Sequence, residues 1–291
     1  MQFLSTIEAS RKNQANPLKV THRHINIFFL FSLIFVFFIF GEVDDHIRIG
    51  IAILLAALFG VTAFLLNWLT YDGALAAAIF GVISFGIGDW QVAAIVLFFF
   101  ISASLLSKDV MATEDARSIK FRRDGRQVWA NGFWLCLWIL IWFISENPIF
   151  LAASVTSIVA ATADTWATEL GNRPNTKAYL ITSLKEVSAG TDGGISYKGS
   201  LGALMGSVIL STLCWVMFSE ISLLVCIIIG ATGFLGCFVD SFLGVKLQGS
   251  SLKIPFLSNN ETETITVSNN IVNWLSTGTA SLLVLLTTLI I

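Results

Sequence analysis

The sequence predicts an all-α integral membrane protein: one bundle of about nine transmembrane helices, with the N-terminus cytoplasmic and the C-terminus outside. Three observations predict it. Hydrophobic residues make up 55% of the 291 and charged residues only 12%, about half of the roughly 25% that a water-soluble domain carries. Nine apolar segments, each near the roughly 20 residues that cross a bilayer, follow one another along the chain. The basic residues fall almost entirely in alternate loops. A mean hydropathy of +0.80 and a net charge of −2 exclude a soluble globular domain, a disordered chain and a nucleic-acid binder, which needs a basic excess.

The segments lie at roughly 25–41, 47–67, 69–88, 90–107, 128–145, 147–167, 199–218, 221–246 and 271–291. The first and fifth are short, which predicts tilt or local thinning of the bilayer. The first follows a polar N-terminal stretch, and no small-residue cleavage site comes after it, so no cleavable signal peptide is expected. Cys136, Cys214, Cys226 and Cys237 all sit inside apolar runs without metal-type spacing and read as small packing residues.

Orientation follows from charge. Every Lys and Arg except Arg48 lies in the N-terminal tail or in the 108–127, 171–198 and 246–270 loops. Nine spans place those four segments on one side, and the positive-inside rule makes that side cytoplasmic. The opposite loops are short. Any chemistry is therefore expected on the cytoplasmic face. The run around Lys120–Arg126 reads as an anchor at anionic headgroups.

Ionisable groups inside a span are costly and usually have a reason to persist. Here the ionisable Lys108, Asp164, Glu169, Asp240 and Lys246 gather at one set of helix ends, with the polar amides of Asn131 and Asn273 beside them. At 100° per residue, Ala153, Thr156, Ala160, Asp164 and Ala167 share an arc of about 80°. Gly233, Gly236, Asp240 and Gly244 share another, and Gly73, Ala77, Gly81, Ser84 and Gly88 a third. Small-residue stripes mark close helix–helix contact, so Asp164 and Asp240 point into the bundle. Glu169 lies about 140° around the helix from Asp164. The two serve one site only if the helix ends between them or the site wraps its tip, and Gly171 and Pro174 predict that the helix ends here.

The stretch AGTDGGISYKG (189–199) has the chemistry of a phosphate cradle. Gly190, Gly193 and Gly194 free the backbone to turn N–H groups toward an anion. Thr191 and Ser196 add hydroxyls, Lys185 and Lys198 add positive charge, and a helix N-terminus follows. Beside carboxylates able to hold Mg²⁺, this becomes a specific combination.

Several stretches, in order, resemble a family of polytopic membrane proteins long labelled a domain of unknown function, which includes animal transmembrane protein nineteen and plant phytyl-phosphate kinase. They are TYDGALAAAIFGVISFGIGDW (70–90), FFFISASLLSK (98–108), GRQVWANG (125–132), ATADTWATELG (161–171), LITSLKEVSAGTDGGISYKG (180–199), GFLGCFVDSFLGVKLQ (233–248) and NNIVNWLST (269–277). The resemblance covers 45–291 and leaves residues 1–44 as a cytoplasmic tail and first helix. It implies a relationship to CTP-dependent prenyl, phytol and dolichol kinases: phosphoryl transfer from a nucleotide, CTP, to a prenyl or phytyl phosphate. The sequence departs from the family pattern at Ala189 and Asp192, where relatives tend to carry Pro and Asn, and at Asn270, where an Asp is often found.

The resulting expectation is a lipid-phosphate kinase of the cell (inner) membrane, with its site facing the cytoplasm. Asp164, Asp240 and Glu169 would hold Mg²⁺. Gly190, Thr191, Gly193, Gly194, Ser196 and Lys185 would cradle phosphates. Lys108 and Lys246 would offset charge on the transferred group, and Asn131 and Asn273 would bind substrate. The expected partners are the bilayer, an isoprenoid phosphate and a nucleotide, with no nucleic acid. The rival expectation is a transporter of a lipid phosphate or small anion that uses the intramembrane aspartates. It calls for polar groups near the midplane, reachable from both sides.

Overall fold

The computed structural model describes residues 21–111, 122–252, 265–288 and 290. Nine helices run through them: α1 (Thr21–Phe40), α2 (Val43–Leu65), α3 (Tyr71–Gly86), α4 (Asp89–Met111), α5 (Gly125–Ser145), α6 (Pro148–Gly171), α7 (Tyr197–Met217), α8 (Leu223–Leu247) and α9 (Asn269–Thr288). Eight are long and apolar enough to cross a membrane, and α3 is shorter. The all-α membrane bundle expected from composition is the fold observed. Basic residues in 112–121 and 253–264 lie outside the described residues.

Local chemistry sets the helix ends. Asp124 and Gln127 form a reciprocal capping box that starts α5. Asn147 accepts from the Ile149 N–H, with Pro148 at the first helical position of α6. Ser196 and Ser222 cap α7 and α8 in the same way. Such side chains satisfy N–H groups that a helix leaves unpaired. The observed bounds also correct the expected lengths. The first and fifth helices are full spans of 20 and 21 residues, because both begin in polar sequence ahead of their apolar runs. The short helix is α3, with 16 residues. Thr70 caps its start, and its end gives way to the left-handed turn at Asp89, φ 64°.

Helix α6 is the centre of the bundle. It packs against α4, α5, α7, α8 and α9, and every residue from Leu151 to Ala163 is buried. That stretch is mostly Ala, Ser, Thr and Val, small enough to let five neighbours approach. On the outer side, α1 docks on α5 through Phe29 stacked on Trp129, ring centroids 4.7 Å apart. The Trp129 indole N–H donates to Asn26 Oδ1 at 2.5 Å. The four cysteines are buried and unbridged.

Contacts between segments place the polar loops at one end. The Thr70 N–H donates to Arg123 O and the Arg123 N–H to Trp68 O, at 3.1 and 3.0 Å. These bonds tie the α2–α3 turn to the start of α5. Asp72 Oδ2 accepts from the Gly125 N–H at 3.0 Å. Ser107 near the end of α4 donates to Glu169 near the end of α6. At the opposite end, Arg48 is paired with Asp45 at 2.5 Å and lies 3.7 Å from Asp89.

If the loop-rich end faces the cytoplasm, Ser183→Cys in intact cells should resist a membrane-impermeant maleimide and Ser219→Cys should react. Both positions are exposed and the native thiols are buried. The reverse labelling pattern would invert the orientation.

Candidate functional site

The site begins with three close helix contacts. On α7, Gly199 and Gly202 sit so near α6 that an added Cβ would lie 2.9 Å from the backbone oxygens of Ala167 and Trp166, respectively. On α8, a Cβ at Gly236 would lie 2.9 Å from that of Ala160 and 3.2 Å from that of Ala280. Helices α6, α7, α8 and α9 therefore meet almost backbone to backbone. The stripes bearing Asp164 and Asp240 face the same interface, as their periodicity predicts.

Between α6 and α7 the chain forms a small antiparallel sheet of β1 (Ala178–Leu180), β2 (Glu186–Val187) and β3 (Gly194–Ile195), in the order β2-β1-β3. The glycine turn lies between β2 and β3. Gly190 and Gly193 adopt φ +86° and +73°, which side chains disfavour. The Thr191 and Gly194 N–H groups donate to Ser188 O and Thr191 O at 3.1 and 2.8 Å, and the Thr191 hydroxyl donates to Ser188 O at 2.7 Å. These groups hold the turn together. The N–H groups of Gly190, Asp192 and Gly193 have no acceptor within the described structure.

The turn, the end of α6, the start of α7 and the end of α8 enclose a cavity of about 120 Å³. Asp164 and Asp240 both line it, with Gly190, Thr191, Asp192, Gly193, Gly194 and Ser196 around them. Asn172, Asn269, Thr168 and Ser241 add further oxygens. Asp240 is buried and fixed from α9: the Ser276 hydroxyl donates to its Oδ2 at 3.0 Å. The Asn273 amide, turned nitrogen-first, donates to the same oxygen at 3.2 Å and to Asn269 O at 2.9 Å. Asn273, expected to touch substrate, thus orients Asp240. Ser276 lies within the NNIVNWLST stretch, but only the tertiary pairing shows its role.

Other expected residues lie elsewhere. Helix α6 continues unbroken to Gly171, so Glu169 stays on a different face from Asp164. Its Oε1 accepts from Ser107 at 2.5 Å, and no cluster of three His, Cys, Asp or Glu able to hold a metal exists among the described residues. Asn131 faces a second cavity. Lys185 and Lys246 are exposed and do not line the aspartate cavity. The Lys108 side chain lies outside the described residues. Ser196 is occupied as the α7 cap, accepting from the Gly199 N–H at 3.1 Å, although its hydroxyl hydrogen remains available.

Arg123 was expected at headgroups. Instead it folds between helices, with its guanidinium donating to Ser104 Oγ at 2.8 Å and lying 5.7 Å from the centre of the Phe100 ring. Burial pushes the guanidinium below its ordinary value, and Glu169 pulls the other way. The D-x-x-Q capping signal starting at Asp124 places this residue at a helix entrance rather than in a free loop.

These features define a polytopic membrane protein with a one-ended polar site. The chain belongs to the integral membrane protein DUF92 family, which matches residues 54–281. It is similar to Uncharacterized membrane protein MJ0933 of Methanocaldococcus jannaschii, 28% identical over 211 residues, covering 71% of this chain and 87% of the relative. Protein PGR of Arabidopsis thaliana is 25% identical over 237 residues, 72% of this chain and 82% of the relative. Protein VTE6, chloroplastic, of Arabidopsis thaliana is 24% identical over 216 residues, 70% of this chain and 63% of the relative. No solved structure matches the chain.

The glycine turn yields a stability prediction. A Cβ on Gly193 would clash with Val245 and lie 2.6 Å from Ser241 O, whereas Gly190 has no such atom within 3.7 Å. Gly190→Ala should carry only the left-handed penalty, roughly 1–2 kcal/mol. Gly193→Ala should lower the melting temperature in detergent clearly further. Equal melting temperatures would mean that the turn does not pack on α8.

Proposed function

We propose that this protein is a membrane-embedded lipid-phosphate kinase, transferring a phosphoryl group from a cytosolic nucleotide, CTP by family resemblance, to a prenyl or phytyl phosphate. The observation that carries this reading is the single cavity shared by Asp164, Asp240, the glycine turn and the N-terminus of α7. Carboxylates for a cation beside backbone donors for phosphate are what phosphoryl transfer requires, because its catalysis is mainly positioning and charge neutralisation.

The donor set fits Mg²⁺. That ion takes oxygen ligands and is commonly held by one or two carboxylates plus substrate phosphates. Asp164 and Asp240 would hold it, with Ser276 and Asn273 fixing the second carboxylate. When bound, the ion would neutralise charge on the phosphates. The free N–H groups of Gly190, Asp192 and Gly193 and the positive end of α7 would receive phosphate oxygens. Lys185, Lys198 and Lys246, exposed around this end, would draw the nucleotide in from the cytoplasmic face.

A lipid-phosphate oxygen forms the new bond to the terminal phosphorus of the nucleotide. The bond from that phosphorus to the bridging oxygen breaks, and the nucleoside diphosphate leaves. The acceptor is already anionic, so no strong base is needed. The carboxylates at one end of the bundle favour this over transport, which needs access from both sides.

The test is transfer of label from γ-labelled CTP to phytyl phosphate by purified protein with and without Mg²⁺. Asp164→Asn and Asp240→Asn should each lower turnover by on the order of 10²-fold or more, with membrane insertion intact. Ser276→Ala should weaken the apparent Mg²⁺ affinity about 10- to 100-fold, as loss of an orienting partner does. Full activity in both aspartate variants would overturn the site. Label-free flux of phytyl phosphate across proteoliposomes, without transfer, would make the protein a transporter.

A further inference from the structure

A second and larger cavity lies away from the aspartates. It occupies about 490 Å³ between α2, α3, α4 and α5. Helix α4 packs chiefly on α3, α6 and α7, which leaves a gap toward α2 and α5. Small residues widen it: Ala52 and Ala56 on α2, Ala77 and Gly81 on α3, Ala93 and Ala94 on α4. Aromatic rings, including Phe59, Phe80 and Phe100, line the rest. Leu55, Trp90 and Leu97 are lining residues exposed on the outer surface of the bundle, so the cavity opens sideways toward the bilayer.

The groove is polar at one end. Arg123, Gln127 and Asn131 line it there. Arg123 makes hydrogen bonds to the hydroxyls of Ser104 and Ser107. No carboxylate lies within 4.0 Å of it among the described residues. A cation whose hydrogen-bond partners are neutral hydroxyls, with the Glu169 carboxylate acting only from beyond Ser107, stands at the head of an apolar slot and suits an anion attached to an apolar chain. From Trp90 to Phe100 along α4 the slot spans about 15 Å, at 1.5 Å per residue.

We infer that the α2–α5 groove is the binding site of the acceptor lipid: it receives one isoprenoid chain from the bilayer and holds its phosphate at Arg123. This assignment rests on the kinase reading for the identity of the lipid. Ser107 joins the two regions, because it bonds both Arg123 and Glu169. The headgroup end of the groove thus lies against the tip of α6, the helix that carries Asp164.

The experiment is equilibrium binding to the purified full chain without nucleotide, using geranyl, farnesyl and geranylgeranyl monophosphates and the matching neutral alcohols. Affinity for the wild-type protein should rise with chain length and then level off once the slot is full. A steady rise through the whole series, as for partitioning into detergent, would overturn the proposal. Arg123→Gln should remove the preference for phosphate over alcohol, a loss on the order of 10- to 100-fold, and Arg123→Lys should restore part of it. Ala94→Phe, which fills the slot, should weaken phosphate and alcohol alike. Unchanged binding in both Arg123→Gln and Ala94→Phe would remove the groove from the site. Equal competition by a two-chain phospholipid would also overturn it, marking ordinary annular contact. Saturable binding without any phosphoryl transfer would sustain the groove and defeat the kinase. Transfer that is indifferent to both substitutions would do the opposite.

Discussion

The near-contact of α6 with α7 and α8 is the constraint on which the rest depends. Gly199, Gly202, Gly233 and Gly236 leave no room for a Cβ against α6. In a bilayer there is no hydrophobic force to pull helices together, so van der Waals contact between such small faces supplies the association. The same contact brings Asp164 and Asp240 to one cavity. Two carboxylates in a low-dielectric bundle repel each other and resist burial. The packing must therefore supply the stability that their approach removes, and it does so one or two turns deeper, along Val159, Ala160 and Thr162. A larger residue in the stripes would change the site without touching either aspartate.

Polar groups at the loop-rich end are arranged by the need to satisfy the backbone. Asp72 takes an N–H at the start of α5, Ser196 caps α7, and Asn273 links Asp240 to the first turn of α9. These residues look alike in a hydropathy profile. Their work differs because each sits beside a different helix terminus. Asp240 is accepted in the bundle because α9 delivers two donors to it. Asp72 is accepted because it faces the positive end of α5.

Much of the fold was legible in the sequence because membrane helices obey a simple grammar of length and hydropathy. All nine elements were readable, and the errors were at their ends. They arose where a capping residue starts a helix ahead of its apolar run, as at Asp124, or where a cap sets a later start and a turn brings an earlier end, as in α3. The shared face of Asp164 and Asp240 was legible from periodicity. The partners of Asp240 were not, since Ser276 and Asn273 lie on a helix that follows a long loop, and only tertiary packing pairs them. Glu169 illustrates the limit from the other side. Its angular offset was readable, but whether α6 ended before it was not; the helix runs on to Gly171, where the Asn172 N–H still donates to Thr168 O. Arg123 was misjudged because charge in a basic run looks solvated until the cap beside it is recognised.

The last turns of α6 organise the end of the bundle by facing two ways. Asp164 looks into the cavity bounded by the glycine turn. Glu169, five residues later and about 140° around, looks toward Ser107 and the Arg123 end of the apolar groove. One helix tip thereby separates a compartment lined by oxygens from one lined mainly by apolar side chains. On the proposed reading, that is the geometry a lipid kinase needs. A nucleotide arrives from water and a prenyl chain from the bilayer, and neither route crosses the other. The reacting phosphates would then meet at the α6 tip, where the two compartments adjoin. It also gives Glu169 a role that metal binding does not require. Its carboxylate, bonded to Ser107 and acting on Arg123 at longer range, keeps the guanidinium from standing wholly uncompensated when no anion fills the groove.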